Sequence, residues 1–501
     1  MSVFRTKSIE QTLAAAEDEH HHLKKRLTAL DLTVFGIGVI IGAGIFTLTG
    51  RAARDYAGPS IALSFAIGAI VCGLAALCYA EFASTVPISG SAYTFSYATL
   101  GELVAWIIGW DLLLEMMLGA SVVAQGWSQY FVTFLSQIGV TWPESIGPGS
   151  HFDLASFLLI AALTALIAYG IKESMRVNLV LVGVKLFIVV FVIIAGLFYI
   201  NRDNWSPFIP PAAPGAAAEG LTTPLFQWVT GVTPSTFGVL GIMAGAAIVF
   251  FAYIGFDVVA TTAEEAKNPQ RDLPIGIIGS LVVCTILYMA VSFVITGMVK
   301  YTEIDPKAAL ATAFLDVGQN GFATLISAGA VAGLTTVVMT LMIGGTRVTF
   351  AMSRDWLLPE KLGETHPKTG TPIRLTVIIG VTCALIASLT PIGKLEEMVN
   401  IGTLSAFLLV SLAIPILRKR RPDLKRSFKV PGSPVVPWLS ALLCFYLILN
   451  LSIETWLRFL VWMLIGFGIY FAYSRSHSRL ATGDEFGQTE QRGMPQMLDE
   501  G

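Results

Sequence analysis

The sequence predicts an all-α polytopic membrane protein with about 12 transmembrane helices. Three observations carry this. Hydrophobic residues make up 54% of the 501 positions and charged residues only 13%, about half the roughly 25% of soluble chains. The mean hydropathy is +0.71. The apolar residues gather in runs of about 20, the length that crosses a bilayer as a helix. These runs are continuous and do not alternate, which argues against an outer-membrane barrel. Apolar content this high with a net charge of -2 excludes disorder. It also leaves no basic excess for phosphates, so no nucleic-acid partner is expected. The five Cys all fall in apolar runs, which excludes a disulfide scaffold.

In chain order the spans are expected at about 30–50, 58–82, 98–135, 153–170, 177–200, 238–262, 274–299, 322–352, 373–391, 394–417, 434–452 and 455–473. Residues 1–29 form a polar tail with a His20-His21-His22 run and a basic Lys24-Lys25-Arg26 patch. No cleavage site follows an isolated apolar segment, so no removable signal peptide is expected. Residues 30–200 hold spans 1 to 5. Residues 201–237 make an extracellular loop rich in Pro, Ala and Gly. Residues 238–417 hold spans 6 to 10, residues 418–433 a basic loop, residues 434–473 spans 11 and 12, and residues 474–501 a polar tail.

Charge sets the orientation. With both tails cytoplasmic, 24 of the 32 Lys and Arg fall in the tails and cytoplasmic loops. Seven fall opposite, and Lys185 lies inside a span. That bias places the chain in the cell membrane with both termini cytoplasmic. The densest cluster, Arg418 to Lys429, reads as a topology determinant, with an anionic-lipid site as the functional alternative.

Two spans carry interruptions. Span 1 contains Gly36, Gly38, Gly42 and Gly44 within nine residues. Small residues at this spacing can be a helix-packing face. Gly42-Ala43-Gly44 also lets the backbone unwind, and freed peptide groups in a membrane must then meet a cavity or a ligand. Span 6 reads Phe250-Phe251-Ala252-Tyr253-Ile254-Gly255-Phe256-Asp257. Breaks at corresponding places of two five-span halves point to an inverted-repeat secondary transporter. The half-helix after a break offers N–H groups to a carboxylate, and the half-helix before it offers carbonyls to an ammonium. Two facing breaks thus suit an α-amino acid.

The stretches Gly36 to Phe46, Phe250 to Pro274 and Arg347 to Asp355, with Tyr79-Ala80-Glu81-Phe82, Pro87 to Tyr93 and Gly109-Trp110-Asp111, resemble the cationic amino acid transporter family of the amino acid–polyamine–organocation superfamily. The resemblance covers about residues 25–475 and is closest to the twelve-span bacterial members. It implies a 5+5 inverted repeat with discontinuous helices 1 and 6 plus two C-terminal helices. It implies an L-amino acid held by the backbone of Ile40, Ile41, Gly42, Ala43 and Gly44. The carbonyls of Phe251, Ala252 and Ile254 would take the amino group, with Phe251 as an aromatic gate. Two departures stand out: Trp356 replaces a customary Gly, and Met116-Met117 replaces a pair often beginning with Tyr.

Charges inside the spans are candidates for coupling. An ionised Lys at a helix centre costs about 2.5–3.5 kcal/mol, and Lys185 sits about 12 Å into span 5. The resemblance implies that its ammonium stands where sodium-coupled relatives hold an ion between spans 1 and 8. Protonated Lys185 would brace span 1 and neutral Lys185 would release it. A coupling proton is expected and no cofactor or metal. Thr335 and Thr336 keep sodium as the alternative. Glu115 and Asp111 share one face of span 3, and the resemblance favours Glu115, acting with Tyr288, as a proton carrier. Asp257 is a candidate gate or helix cap. Val331, Leu334 and Thr335 mark a side-chain pocket with no acid, which favours a small or medium neutral amino acid over arginine or lysine.

The expected function is import of L-amino acids by proton symport through alternating access. The alternatives are a proton-independent exchanger and a non-transporting sensor. An enzyme is not expected, because all six His lie outside the spans and no HExxH occurs. The expected partners are the substrate and the lipid bilayer.

Overall fold

The computed structural model describes residues 5, 27–85, 91–170, 175–214, 220–232, 235–366, 370–424 and 426–482. The His20–His22 run, the Lys24–Arg26 patch and Pro87 to Gly90 lie outside the described residues. Among the described residues, eight helical stretches are long and apolar enough to cross a membrane, and four shorter apolar helices join them. Helices occupy the twelve expected positions in order. Span 1 is Ala29–Ile40 followed, after a break, by the wide turns Gly44–Leu48 and Ala53–Ala57. Span 2 is Ile61–Thr85, span 3 Glu102–Gln137, span 4 Leu154–Ala168 and span 5 Met175–Gly196. Span 6 is Gly238–Val249 with the tighter turns Phe250–Tyr253 and Asp257–Glu265. Span 7 is Pro269–Met298, span 8 Asn320–Arg354 and span 9 Ile373–Leu389. Spans 10, 11 and 12 are Ile392–Arg420, Val435–Leu449 and Ile453–Ile469.

One boundary differs from expectation. Span 3 does not start at residue 98: a separate helix, Ser91–Thr99, ends just before it. Gly101 adopts φ 105° between the two, a conformation that favours glycine, so the chain turns there. The 201–237 loop is partly ordered by a two-residue strand pair, Ala213–Pro214 with Ser235–Thr236, and by the short helix Leu225–Thr230.

Burial is graded from the centre outwards. Span 3 and span 6 are almost wholly covered by protein, whereas span 12 is mostly uncovered. The uncovered side chains there are apolar, among them Leu460, Leu464 and Phe471. Lipid replaces water as their partner, so this exposure carries no hydrophobic penalty. Inside the bundle, small residues let helices approach: a Cβ on Gly380 of span 9 would strike Thr164 of span 4, and one on Gly276 of span 7 would strike Leu32 of span 1. Hydroxyls of Ser121, Ser292 and Thr346 donate to carbonyls one turn back in their own helices. No water is then needed to satisfy them in a dry interior.

Two features on the side of the chain termini close the bundle. Leu27, just before span 1, forms a parallel bridge with Ala266, just after span 6, and the Lys267 N–H donates to the Leu27 carbonyl at 2.8 Å. The basic 418–433 segment folds onto span 2. Arg418 forks onto the Glu81 carboxylate at 2.9 and 2.5 Å, and the Val430 N–H also donates to Glu81. Part of the cluster from Arg418 to Lys429 is therefore committed to an internal anion.

Candidate functional site

The breaks in spans 1 and 6 face each other. The first helix of span 1 ends at Ile40, and Ile41 leaves the helix at ψ 89° while its N–H still donates to the Ile37 carbonyl at 2.9 Å. In span 6, Ile254 is extended at ψ 139° and Gly255 takes φ 113°. Two glycines are sterically required. A Cβ on Gly44 would overlap the Ala252 backbone, and a Cβ on Gly255 would approach the Val39 side chain to 2.7 Å. Both interruptions are thus in backbone contact at the middle of the bundle. Ile40, Ile41, Ala43, Phe251, Ala252 and Ile254 are all buried, as are Gly42 and Gly44. Phe407 of span 10 holds the second break from outside, with ring contacts to Phe250 at 5.8 Å and Phe256 at 4.9 Å.

Tyr288 of span 7 joins the two breaks. Its hydroxyl lies 2.7 Å from the Ile40 carbonyl oxygen and 2.9 Å from that of Ala252. A phenol has one proton to donate, so two carbonyls share one donor. One acceptor is always under-served, and an ammonium arriving between the breaks would supply the missing donors. The Phe251 carbonyl accepts the Ile254 N–H at 3.2 Å, so it is engaged within the turn.

Lys185 ties span 5 to span 1. It is 1% exposed, and its ammonium donates to the Gly38 carbonyl at 2.5 Å. The stem of Lys185 crosses Gly333 of span 8, where a Cβ would collide with its methylenes. Three spans meet at one lysine.

Glu115 is buried in span 3, and neither carboxyl oxygen finds a hydrogen bond among the described residues. Its charged neighbours are Asp257 and Asp111, with the Thr403 hydroxyl beside it. The Tyr288 hydroxyl, expected to act with it through water, donates at the breaks. Asp257 lies beside the backbone of Gly255 and Val258, and its oxygens make no hydrogen bond of good geometry among the described residues. A buried acid therefore stands beside the second break, at the start of Asp257–Glu265.

The side-chain pocket divides. Leu334 is fully buried. Thr335 donates to the Val331 carbonyl at 2.8 Å and accepts the Trp127 indole N–H at 2.9 Å, and Thr336 donates to the Gly333 carbonyl. On span 8, Val337 approaches the first break, 3.2 Å from a Cβ placed on Gly42, and Gly333 one turn earlier lies under the Lys185 stem. Sequence reasoning missed both, although they lie on the Lys185-facing side of the same helix. It also missed Asn400 of span 10, which donates to the Ala247 carbonyl at 2.9 Å, and the Arg51–Glu396 ion pair at 2.5 Å between spans 1 and 10. Arg51 and Glu396 line a cavity of about 520 Å³ with Thr47, Gln129, His151 and Lys307, on the side away from the termini. Only helix register could have flagged these polar residues, because each is isolated in its own span. No group of three metal-ligating side chains occurs among the described residues.

Trp356, the departure after Ser353-Arg354-Asp355, adopts φ 60°. That is the left-handed region glycine prefers. The Arg479 guanidinium sits 5.0 Å over its ring, a contact that a glycine would not make.

Residues 27–472 match the model of the amino acid permease family. The chain is 49% identical over 490 residues to the branched-chain amino acid permease BcaP of Bacillus subtilis, covering 96% of this chain and 99% of that protein. It is 44% identical to the methylthioribose transporter of Bacillus subtilis, with the same coverage of 96% and 99%. It is 38% identical to the vacuolar cationic amino acid transporter 4 of Arabidopsis thaliana, covering 84% of this chain and 68% of that protein.

Proposed function

The chain belongs to the amino acid permease family, and from that premise we propose that it imports neutral L-amino acids by proton symport through alternating access. It is a multi-pass membrane transporter and not an enzyme. The observation that carries the reading is the single Tyr288 hydroxyl between the Ile40 and Ala252 carbonyls. An α-ammonium there takes over one or both carbonyls, and the carboxylate faces the start of the second half of span 1 at Gly44. The site has no charged side chain among Ile40 to Gly44 and Phe251 to Ile254, so the zwitterion is read by backbone.

The coupling proton is assigned to Lys185, with Glu115 and Asp257 as the acids near the substrate. With its proton, Lys185 holds Gly38 and keeps span 1 in place; without it, the ammonium donor to Gly38 is lost and span 1 is freed to move. Spans 1, 2, 6 and 7 rock against spans 3, 4, 8 and 9 in this scheme, in the 5+5 inverted arrangement. The basic loops and both tails are assigned to the cytoplasm of the cell membrane.

The name of the 49% identical relative supports branched-chain substrates, whose side chains suit the apolar residues around the two breaks. The name of the 44% identical relative supports a second reading, a methylthio sugar. The deciding experiment is uptake of radiolabelled L-leucine, L-alanine and methylthioribose into proteoliposomes without sodium, with and without an inward proton gradient. Gradient-driven accumulation of an amino acid supports the symporter. Uptake only into vesicles preloaded with amino acid would overturn proton coupling in favour of exchange.

A further inference from the structure

A second cavity has no residue of the broken helices in its walls. It occupies about 230 Å³ between spans 3, 10, 11 and 12, and its walls include Asp111, Ser405, Phe445, Ile448, Trp456 and Phe459. All but two of its lining residues are apolar, and none is basic. Asp111 is the exception that matters. It is 1% exposed, and neither carboxyl oxygen has a hydrogen-bond partner among the described residues. It stands nine residues into span 3, about 14 Å along the helix. An acid at such depth is costly, and where it persists it marks a functional site. Phe445 is both a wall of this cavity and 45% exposed on the outer surface, so the cavity opens toward lipid.

We propose that this cavity binds an amphipathic monocation from the bilayer, with its ammonium on Asp111 and its apolar chain between spans 10, 11 and 12. The two unpartnered carboxyl oxygens supply acceptors. The rings of Phe445, Trp456 and Phe459 supply faces that attract a cation, and no basic side chain competes. An apolar cavity of about 150 Å³ holds one benzene, so this one suits a chain of roughly six to eight carbons. An ammonium on Asp111 would also lie one helical turn from Glu115. The site thereby acts on transport without occupying the substrate's place.

The test uses purified full-length protein and n-octylamine, with n-octanol and n-octanoate as controls of equal chain length. The variants are Asp111→Asn and Ser405→Leu. The second fills the cavity and orphans no partner, because the Ser405 hydroxyl donates to Ile401 in its own helix. Octylamine is expected to raise the unfolding midpoint of the natural protein by about 2 °C at ten times its dissociation constant. It should raise that of either variant no more than octanol does. Equal shifts in all three proteins, or equal shifts from amine and alcohol, would overturn the proposal, as would no shift in the natural protein. This readout does not depend on which solute is carried. In proteoliposomes octylamine should lower the maximal uptake rate and leave KM unchanged; purely competitive inhibition would overturn it.

Discussion

The Lys185 ammonium and the Gly38 carbonyl lie 2.5 Å apart, 147 positions distant in sequence and buried together. A charge-assisted bond in this setting is worth about 1.5–3 kcal/mol. Lys185→Met keeps most of the volume and removes the donor. Gradient-driven uptake should fall at least about tenfold, the factor that 1.4 kcal/mol represents. Uptake in Lys185→Met within twofold of the natural protein, at equal expression, would remove Lys185 from the coupling scheme.

Tyr288→Phe deletes the one donor shared by Ile40 and Ala252. Two buried carbonyls then lose their partner, at a cost of about 1–3 kcal/mol. The unfolding midpoint should drop by a few degrees and uptake should fall. Ring contacts with Phe65 and Tyr253 persist in the variant, so the loss reports on the hydroxyl. A midpoint and an uptake rate both unchanged would show that the bridge is dispensable.

Gly44→Ala puts a methyl group into the Ala252 backbone. Backbone cannot rotate away as a side chain can, so the two breaks must separate, costing about 1–3 kcal/mol of overpacking. We expect uptake to be abolished while the protein still reaches the membrane. Gly183→Ala is the control: nothing lies within 4 Å of its added Cβ, and uptake should be retained.

Arg51 and Glu396 form the buried pair between spans 1 and 10. Arg51→Ala leaves the Glu396 carboxylate without its cation, a loss of about 3–5 kcal/mol for a fully buried pair. Arg51 is a quarter exposed, so the lower end applies. Replacing both residues with Met should recover most of the stability. Thermal unfolding of the two single variants and the double variant measures the coupling; strict additivity would mean the pair contributes no interaction of its own.

Much of the architecture was legible before any coordinates. Span positions follow from apolar run length alone, and the breaks follow from Gly42, Gly44 and Gly255 in otherwise apolar stretches. Trp356 was legible as an anomaly, and its φ of 60° supplies the reason a glycine is usual there. Other features were not legible. Nothing in the local pattern around Glu396 names Arg51, 345 positions earlier. Asp111 and Glu115 share a helix face, yet one lines a lipid-side cavity while the other neighbours Asp257 beside the second break.

The physical reason is the range of the interactions. In a membrane a regular helix satisfies its own peptide groups, so each span is a local property that the sequence alone determines, and the glycines mark where it breaks. Family membership follows from those same local stretches. Which polar atoms then meet depends on helix rotation and close approach, set by small residues such as Gly333 beneath Lys185 and Gly44 against Ala252. Those pairings join residues far apart in the chain, and only the tertiary structure decided them.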